Sequence, residues 1–335
     1  LDFSKTGGKK PLFVNGSVNP DQNSQRESIA ISLFSEGAKL NSESDVMKKY
    51  GGNIGDSVQT LINQFLPEMK VAEIQKTANS YDFLGNSRSV FDVICNLGSK
   101  SFREKDSAGF FFFETQDGFH FKSIDSLISQ KPVERYYKTD LLQENIDNPA
   151  NDFKILSSTI RKNQNVINAM NAGVFFTKNI FFNPKTFEEI ETIYKFEDGK
   201  LVKSLGQSAE APDVNAYTKT HYSILDIGTL NPTVAGKDNN NPSEYQAQAA
   251  MRYNILFSQL VDIQIPCNPN LKAGDTIICD FEIVTQSKKE QGSTDPVQSG
   301  KYLIVDLCHH YEPTRSITSL TLARDSYGLY TSKNK

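Results

Sequence analysis

Cys308-His309-His310, with Cys267 and Cys279 upstream, is the densest set of soft and borderline ligands in the chain, and zinc is the ion such donors take. The spacing argues against a site. There is no CxxC pair, and adjacent residues of a strand face opposite ways, so Cys308 and His310 share one side while His309 takes the other. A Cys/His nucleophile pair lacks an activating context at any of the four cysteines, Cys95 included. Glu114, Asp117 and Asp125 are close enough in sequence to imitate the paired carboxylates of a glycosidase. Asp117 is better explained by the Asp117-Gly118 turn, and Asp125 by the first turn of a helix, where a negative charge meets the positive end of the dipole. Gly7-Gly8 and Gly51-Gly52 are isolated and form no phosphate-cradling loop. The run Phe110 to Phe113 has no interleaved Lys or Arg, as a base-stacking platform would, and reads as core. No catalytic, cofactor or metal residue is therefore expected.

The elements around these residues belong to a chain of 335 residues, 38% hydrophobic, 23% charged and 10% aromatic, with 22 Phe and 13 Tyr. That composition is globular and large enough for two or three domains. No apolar run approaches the roughly 18 to 20 residues of a membrane helix. A formal net charge of -4 offers no surplus of cations for non-specific nucleic-acid capture. Four scattered cysteines suit a reducing compartment. The opening LDFSKTGGKK has no signal-peptide core, and residues upstream of Leu1 are expected.

Ile29 to Phe34 is a short apolar run suited to a buried strand. Ile54, Val58, Leu61, Ile62, Phe65 and Leu66 line one helical face that stops at Pro67. A second helix spans Val90 to Leu97, with Ser87 or Ser89 as cap and Gly98 placed to end it. The Phe run, the Asp-Gly turn and the alternation Phe119/His120/Phe121/Lys122 predict a hairpin, followed by a short helix from Ser123 to Ile128. Residues 47–135 thus read as a helix-hairpin unit. Residues 151–202 favour strands, and 203–242 read as a long exposed connection. Ser243 and Gln246 form a capping box opening a helix over 243–260. Val261, Ile263 and Ile265, then Ile277, Cys279, Phe281 and Ile283, alternate as half-buried strands, and residues 300–324 supply a last strand pair bent at Glu312-Pro313-Thr314-Arg315. The period suits closure into a small barrel. The segment from Ser287 to Ser299, with Lys288 and Lys289, reads as flexible.

The stretch GFFFFETQDGFHFKSIDSLISQKP resembles the baseplate hub proteins of T-even-like contractile-tailed phages, the marine cyanophage branch in particular. IAISLFSEGAKLN and YGGNIGDSVQTLIN are similar to that family's first-barrel strand and the start of its inserted helical domain; NSYDFLGNSRSVFDVICNLGSKS is similar to that domain's second helix, and SGKYLIVDLCHHYEPTRSITSLTLARDSYGLY to its second barrel. The resemblance covers most of the chain and is weakest over 135–245. It implies an α+β, β-rich fold of two related small β-barrel tube domains with an inserted helical α+β domain. Residues 1–46 and about 136–200 would form a first barrel lacking its start, 47–135 the insert, and 201–335 the second barrel with helix 243–260. It also implies a non-enzymatic homotrimer, a ring of six barrels joining a sixfold tail tube to a threefold central spike, in contact with tube or tube-initiator and baseplate wedge proteins. Such a protein is assembled in the host cytoplasm, resides in the virion tail, and leaves a channel through which DNA passes without being held. No catalytic residue is carried over. Strand alternation makes Asp280, Glu282 and Asp306 the candidates to face that channel. The competing readings are a wall-degrading hydrolase using Glu114 to Asp125 and a host-binding adhesin.

Overall fold

The computed structural model describes residues 12–17, 21–23, 26–104, 107–138, 149–163, 165–184, 186–196, 204–206, 219–225, 242–283 and 294–326. Strands β1 (Leu12–Ser17), β2 (Asp21–Asn23), β3 (Arg26–Ser28) and β4 (Ile31–Ser35) lead into a helix-hairpin unit. That unit holds α1 (Glu36–Glu43), β5 (Lys49–Tyr50), α2 (Ile54–Phe65), β6 (Val71–Ile74), β7 (Phe83–Leu84), α3 (Val90–Lys100), β8 (Phe110–Thr115), β9 (Gly118–Ser123) and α4 (Ile124–Ile128). After it come β10 (Arg135–Lys138), β11 (Ser157–Lys162), α5 (Val166–Asn171), β12 (Phe176–Phe182), β13 (Glu189–Lys195), β14 (Lys219–Ile224), α6 (Pro242–Leu256), β15 (Gln259–Pro266), β16 (Thr276–Phe281), β17 (Gly300–Tyr311) and β18 (Ser316–Arg324).

In the helix-hairpin unit, Asn53 caps α2 by accepting from the Gly55 N–H, Ser89 caps α3 through Asp92, and Ser123 caps α4 through Ser126. The α2 stripe Ile54, Val58, Leu61 and Ile62 packs with Val90, Ile94 and Leu97 of α3 over Phe110, Phe119 and Phe121 of the β6-β9-β8 sheet. Gly98 does not end α3, which runs on to Lys100. A Cβ there would stand 2.7 Å from the Phe110 carbonyl oxygen, so glycine lets the helix lie close on β8.

The C-terminal sheet has the order β10-β16-β17-β18-β15-β11, antiparallel except for the β10/β16 pair. It curls into a half-barrel whose edges meet at one point, where the Ile155 N–H donates to the Tyr137 carbonyl at 2.8 Å beside a Tyr137/Lys154 bridge. Tyr136, Val261, Ile263, Ile265, Ile277, Cys279, Phe281, Tyr302, Ile304, Leu320 and Leu322 fill its inside. The sequence reading placed residues about 136–200 in a first barrel; β10 and β11 from that stretch instead pair with β16 and β15. Their pairing partners lie about 100 residues away or more, and short strands carry no local mark of such a partner. β12, β13 and β14 form a separate sheet of order β13-β12-β14. β14 lies inside the stretch expected to be a connection, while 207–218 and 226–241 of that stretch lie outside the described residues. α6 opens at Pro242 and closes at Leu256, so Ser243 sits within the first turn rather than at its cap. Proline suits that first position, where an N–H has no helical partner.

Ile29 to Phe34 is not a buried strand. β4 pairs with β1 in a two-stranded ribbon, and Leu12, Val14, Ile31 and Leu33 are all more than half exposed. The other face of the ribbon is covered by Phe13 against Phe34, with Lys39 over the Phe13 ring. Residues 1–11, also read as first barrel, lie outside the described residues. Among the described residues no helix is long and apolar enough to cross a membrane.

Candidate functional site

The four phenylalanines of β8 divide between two cores. Phe110 and Phe112 face α2 and α3, while Phe111 and Phe113 face the half-barrel side. A strand covered on both faces needs no polar alternation, which explains four apolar residues in a row. Phe111 meets Tyr253 and Phe257 edge-on, and Phe113 stacks on His120 with ring centroids 4.9 Å apart. Gly274 (φ +87) belongs to the Leu271-Lys272-Ala273-Gly274-Asp275 turn, and a Cβ there would come within 2.7 Å of the Phe113 ring. These contacts form the joint between the helix-hairpin unit and the half-barrel.

The three carboxylates with hydrolase-like spacing are drawn apart by it. Glu114 accepts from the Ser35 hydroxyl at 3.0 Å. Asp117, at the hairpin tip, takes a short ion pair from Lys272, and that hydrogen bond holds its carboxyl below the usual range. Asp125 is buried at the opposite end: its Oδ1 accepts from Arg252 Nη2 at 2.5 Å and its Oδ2 from the Ser107 hydroxyl, with the ion pair's side chains 5% and 3% exposed. Each carboxylate thus serves a separate contact, and the three do not share a cleft. Tyr253 of α6 completes the joint, its hydroxyl donating to the Phe110 carbonyl at 2.5 Å and accepting from the Phe110 N–H at 2.9 Å. Burial pushes that phenol well above its ordinary range. Sequence reasoning missed Arg252 and Tyr253 as partners of residues some 130 to 140 positions earlier, because a helix as mixed as Pro242–Leu256 does not mark which of its polar residues is buried.

The cysteine and histidine set is also dispersed. Cys279 is wholly buried inside the half-barrel, where burial pushes its thiol up, while Cys308 is exposed on the outer face. His309 meets the Thr318 hydroxyl at 2.8 Å on the face opposite Cys308 and His310, as strand alternation requires. Among the described residues no three His, Cys, Asp or Glu side chains gather.

Asp280, Glu282 and Asp306 do not converge either. Leu303 pairs with Thr276, so Asp280 and Asp306 lie toward opposite ends of the ladder, about 23 Å apart at ~3.3 Å per residue. Asp280 is held by Arg135 of the neighbouring strand, with Nε–Oδ2 at 2.5 Å and Nη2–Oδ1 at 3.3 Å. Glu282 is half-buried and bridges to Thr294. Asp306 is exposed on an outer polar face shared by Thr159 and Arg161 of β11, Asp262 and Gln264 of β15, and Ser319 and Thr321 of β18. Asp262 there pairs with Arg161 at 2.8 Å and accepts from the Thr321 hydroxyl at 2.9 Å. Lys288 and Lys289 lie outside the described residues. A second kind of surface is apolar. Besides the β1/β4 ribbon, Ile193, Tyr222 and Ile224 share one exposed face of the β13-β12-β14 sheet.

No protein-family model matches the chain. It is 23% identical over 297 residues to the probable baseplate hub protein gp334 of Vibrio phage KVP40, covering 82% of this chain and 66% of that protein, just under two thirds of its length. Its fold is like that of the tail protein from Neisseria meningitidis MC58, with a TM-score of 0.54 at 11% identity over 94% of this chain and 80% of that one. It is also like the 43 kDa tail protein of prophage MuSo2 from Shewanella oneidensis, with a TM-score of 0.50 at 8% identity over 93% and 76% of the two chains.

Proposed function

We propose that this chain is a structural, non-enzymatic protein of a phage tail baseplate, located in the virion tail. In the finer reading it is a hub that assembles as a homotrimer, joins a sixfold contractile-tail tube to a threefold central spike, meets wedge proteins at its rim and leaves a channel for DNA. The observation that carries the reading is the likeness to a baseplate hub protein over 82% of the chain. The surfaces support it. A two-stranded ribbon is marginal in water, and one that leaves Leu12, Val14, Ile31 and Leu33 open calls for cover from an assembly. The carboxylates a hydrolase would need are committed to separate contacts within the chain.

The channel wall follows from charge. A cationic lumen would gain counterion-release free energy at every phosphate and act as a brake on moving DNA. Of the three candidates, Asp306 has the surroundings of such a wall: its face is hydroxyl-rich, and of the side chains named there two are aspartates and one is arginine. Mass measurement of the protein in solution tests the trimer; a chain that stays monomeric at high concentration overturns it. A salt series of DNA binding to the assembled ring tests the wall, with weak binding expected at physiological salt. Tight, steeply salt-dependent binding would make the channel a DNA-gripping device instead.

A further inference from the structure

Between α6 and the β13-β12-β14 sheet lies a cavity of about 410 Å³. Strand register decides which side chains reach it. Thr177, Asn179 and Phe181 alternate onto one face of β12, and their parallel partners Lys219, His221 and Ser223 bring the same face of β14 alongside. The Lys178–Glu191 ion pair belongs to the opposite face, and among the described residues no carboxylate lines the cavity. What remains is rich in donors. Asn179 is only 7% exposed, and its Nδ2 has no hydrogen-bond partner. A buried donor left unmade is destabilising, and an orphan of this kind in a folded protein calls for a group that completes it. The Thr177 hydroxyl is already committed, donating to the Lys219 carbonyl at 3.1 Å. Burial, and after it the neighbouring Lys219 charge, holds His221 below its ordinary range. Phe181 and Met251 supply apolar walls, and the volume falls in the usual range of small-molecule sites.

We propose that this cavity binds a small organic oxyanion, a carboxylate or a phosphate monoester, with Asn179, Lys219 and His221 as its donors and Phe181 and Met251 against its body. The site goes beyond the assembly reading and stands whether or not the chain forms a ring. The test is NMR of the histidine side chains in the full chain, with the His221 signal assigned from His221→Gln, titrated with glutarate and with glycerol phosphate against sodium chloride at matched ionic strength. A saturable shift of the His221 signal is expected, together with a rise of its pKa in the presence of the anion and at least tenfold weaker binding in Asn179→Leu and Lys219→Met. Lys219 is exposed, so Lys219→Met keeps the test open if Asn179→Leu fails to fold. A response to glutarate alone assigns a carboxylate site, and a response to glycerol phosphate alone assigns a phosphate site. No saturable change with either probe at millimolar concentration, or equal binding by the wild type and a folded variant, overturns the proposal.

Discussion

Replacing Asp125 should cost more stability than any substitution on the surface of the helix-hairpin unit. The carboxylate and the Arg252 guanidinium are both almost wholly buried and 2.5 Å apart, and the Ser107 hydroxyl uses the second oxygen. Asp125→Ala takes away the carboxylate hydrogen-bonded to this buried guanidinium, a loss of about 3 to 5 kcal/mol. With an m-value of ~2 kcal/mol/M, a 4 kcal/mol loss lowers the urea midpoint by about 2 M, against a whole-domain stability of roughly 5 to 15 kcal/mol. Asp125→Asn keeps the shape and an acceptor for Ser107 but removes the charge, so most of the loss is expected there too. Urea unfolding followed by tyrosine fluorescence and by circular dichroism reads both variants. A midpoint shift below about 0.5 M for Asp125→Ala would refute the reasoning, because it would mean the pair is solvated or readily replaced. A loss in Asp125→Ala that is absent in Asp125→Asn would refute the charge argument and leave packing as the cause.

Phe111→Asp sets a carboxylate between Tyr253 and Phe257, where an unpaired charge costs several kcal/mol, so a fall in melting temperature of about 10 °C or insoluble protein is expected. His120→Ser loses only the stack on Phe113 and a 2.9 Å contact with Thr115, and a melting scan should show a far smaller change. Lys301 donates to the Ile128 and Gln130 carbonyls at the end of α4, and burial lowers its pKa from 10.5 to about 8. Between those values the unfolded chain binds a proton the folded chain does not, so stability should rise with pH from about 8. Cys279 and Tyr302, pushed up by burial, act in the opposite sense above about pH 9 to 10. Urea midpoints at pH 7.5, 8.5 and 9 should climb in the wild type and stay level or fall in Lys301→Met.

The local signals of the fold were strong in the sequence where one element faces one core. The α2 stripe, Ser89 (one of two offered caps), the Asp117-Gly118 hairpin, the short helix after it and the strands β15 to β18 stand where period and turn chemistry put them. What was illegible depended on distant partners. Gly98 reads as a helix stop, yet it answers to the Phe110 carbonyl. Ile29 to Phe34 reads as buried because local hydrophobicity does not distinguish a chain's own core from a face left open. Arg324 shows no pattern at all, though it is fully buried, donates to the Val297, Gln298 and Ser299 carbonyls, and so fastens the end of a segment read as flexible. Of the candidate site residues, the sequence showed which strand face each occupies but not that Asp280 already has Arg135 or that Asp306 has Asp262 for company.

The β8/β9 hairpin is gripped on both faces by side chains and pinned at both ends, by Lys272 on Asp117 at the tip and by Arg252 on Asp125 at the base. A panel fastened in that way has no axis left to swing about. Among the described residues, the β1/β4 ribbon and the outer face of the β13-β12-β14 sheet are held less, since each leaves large apolar side chains uncovered on one side.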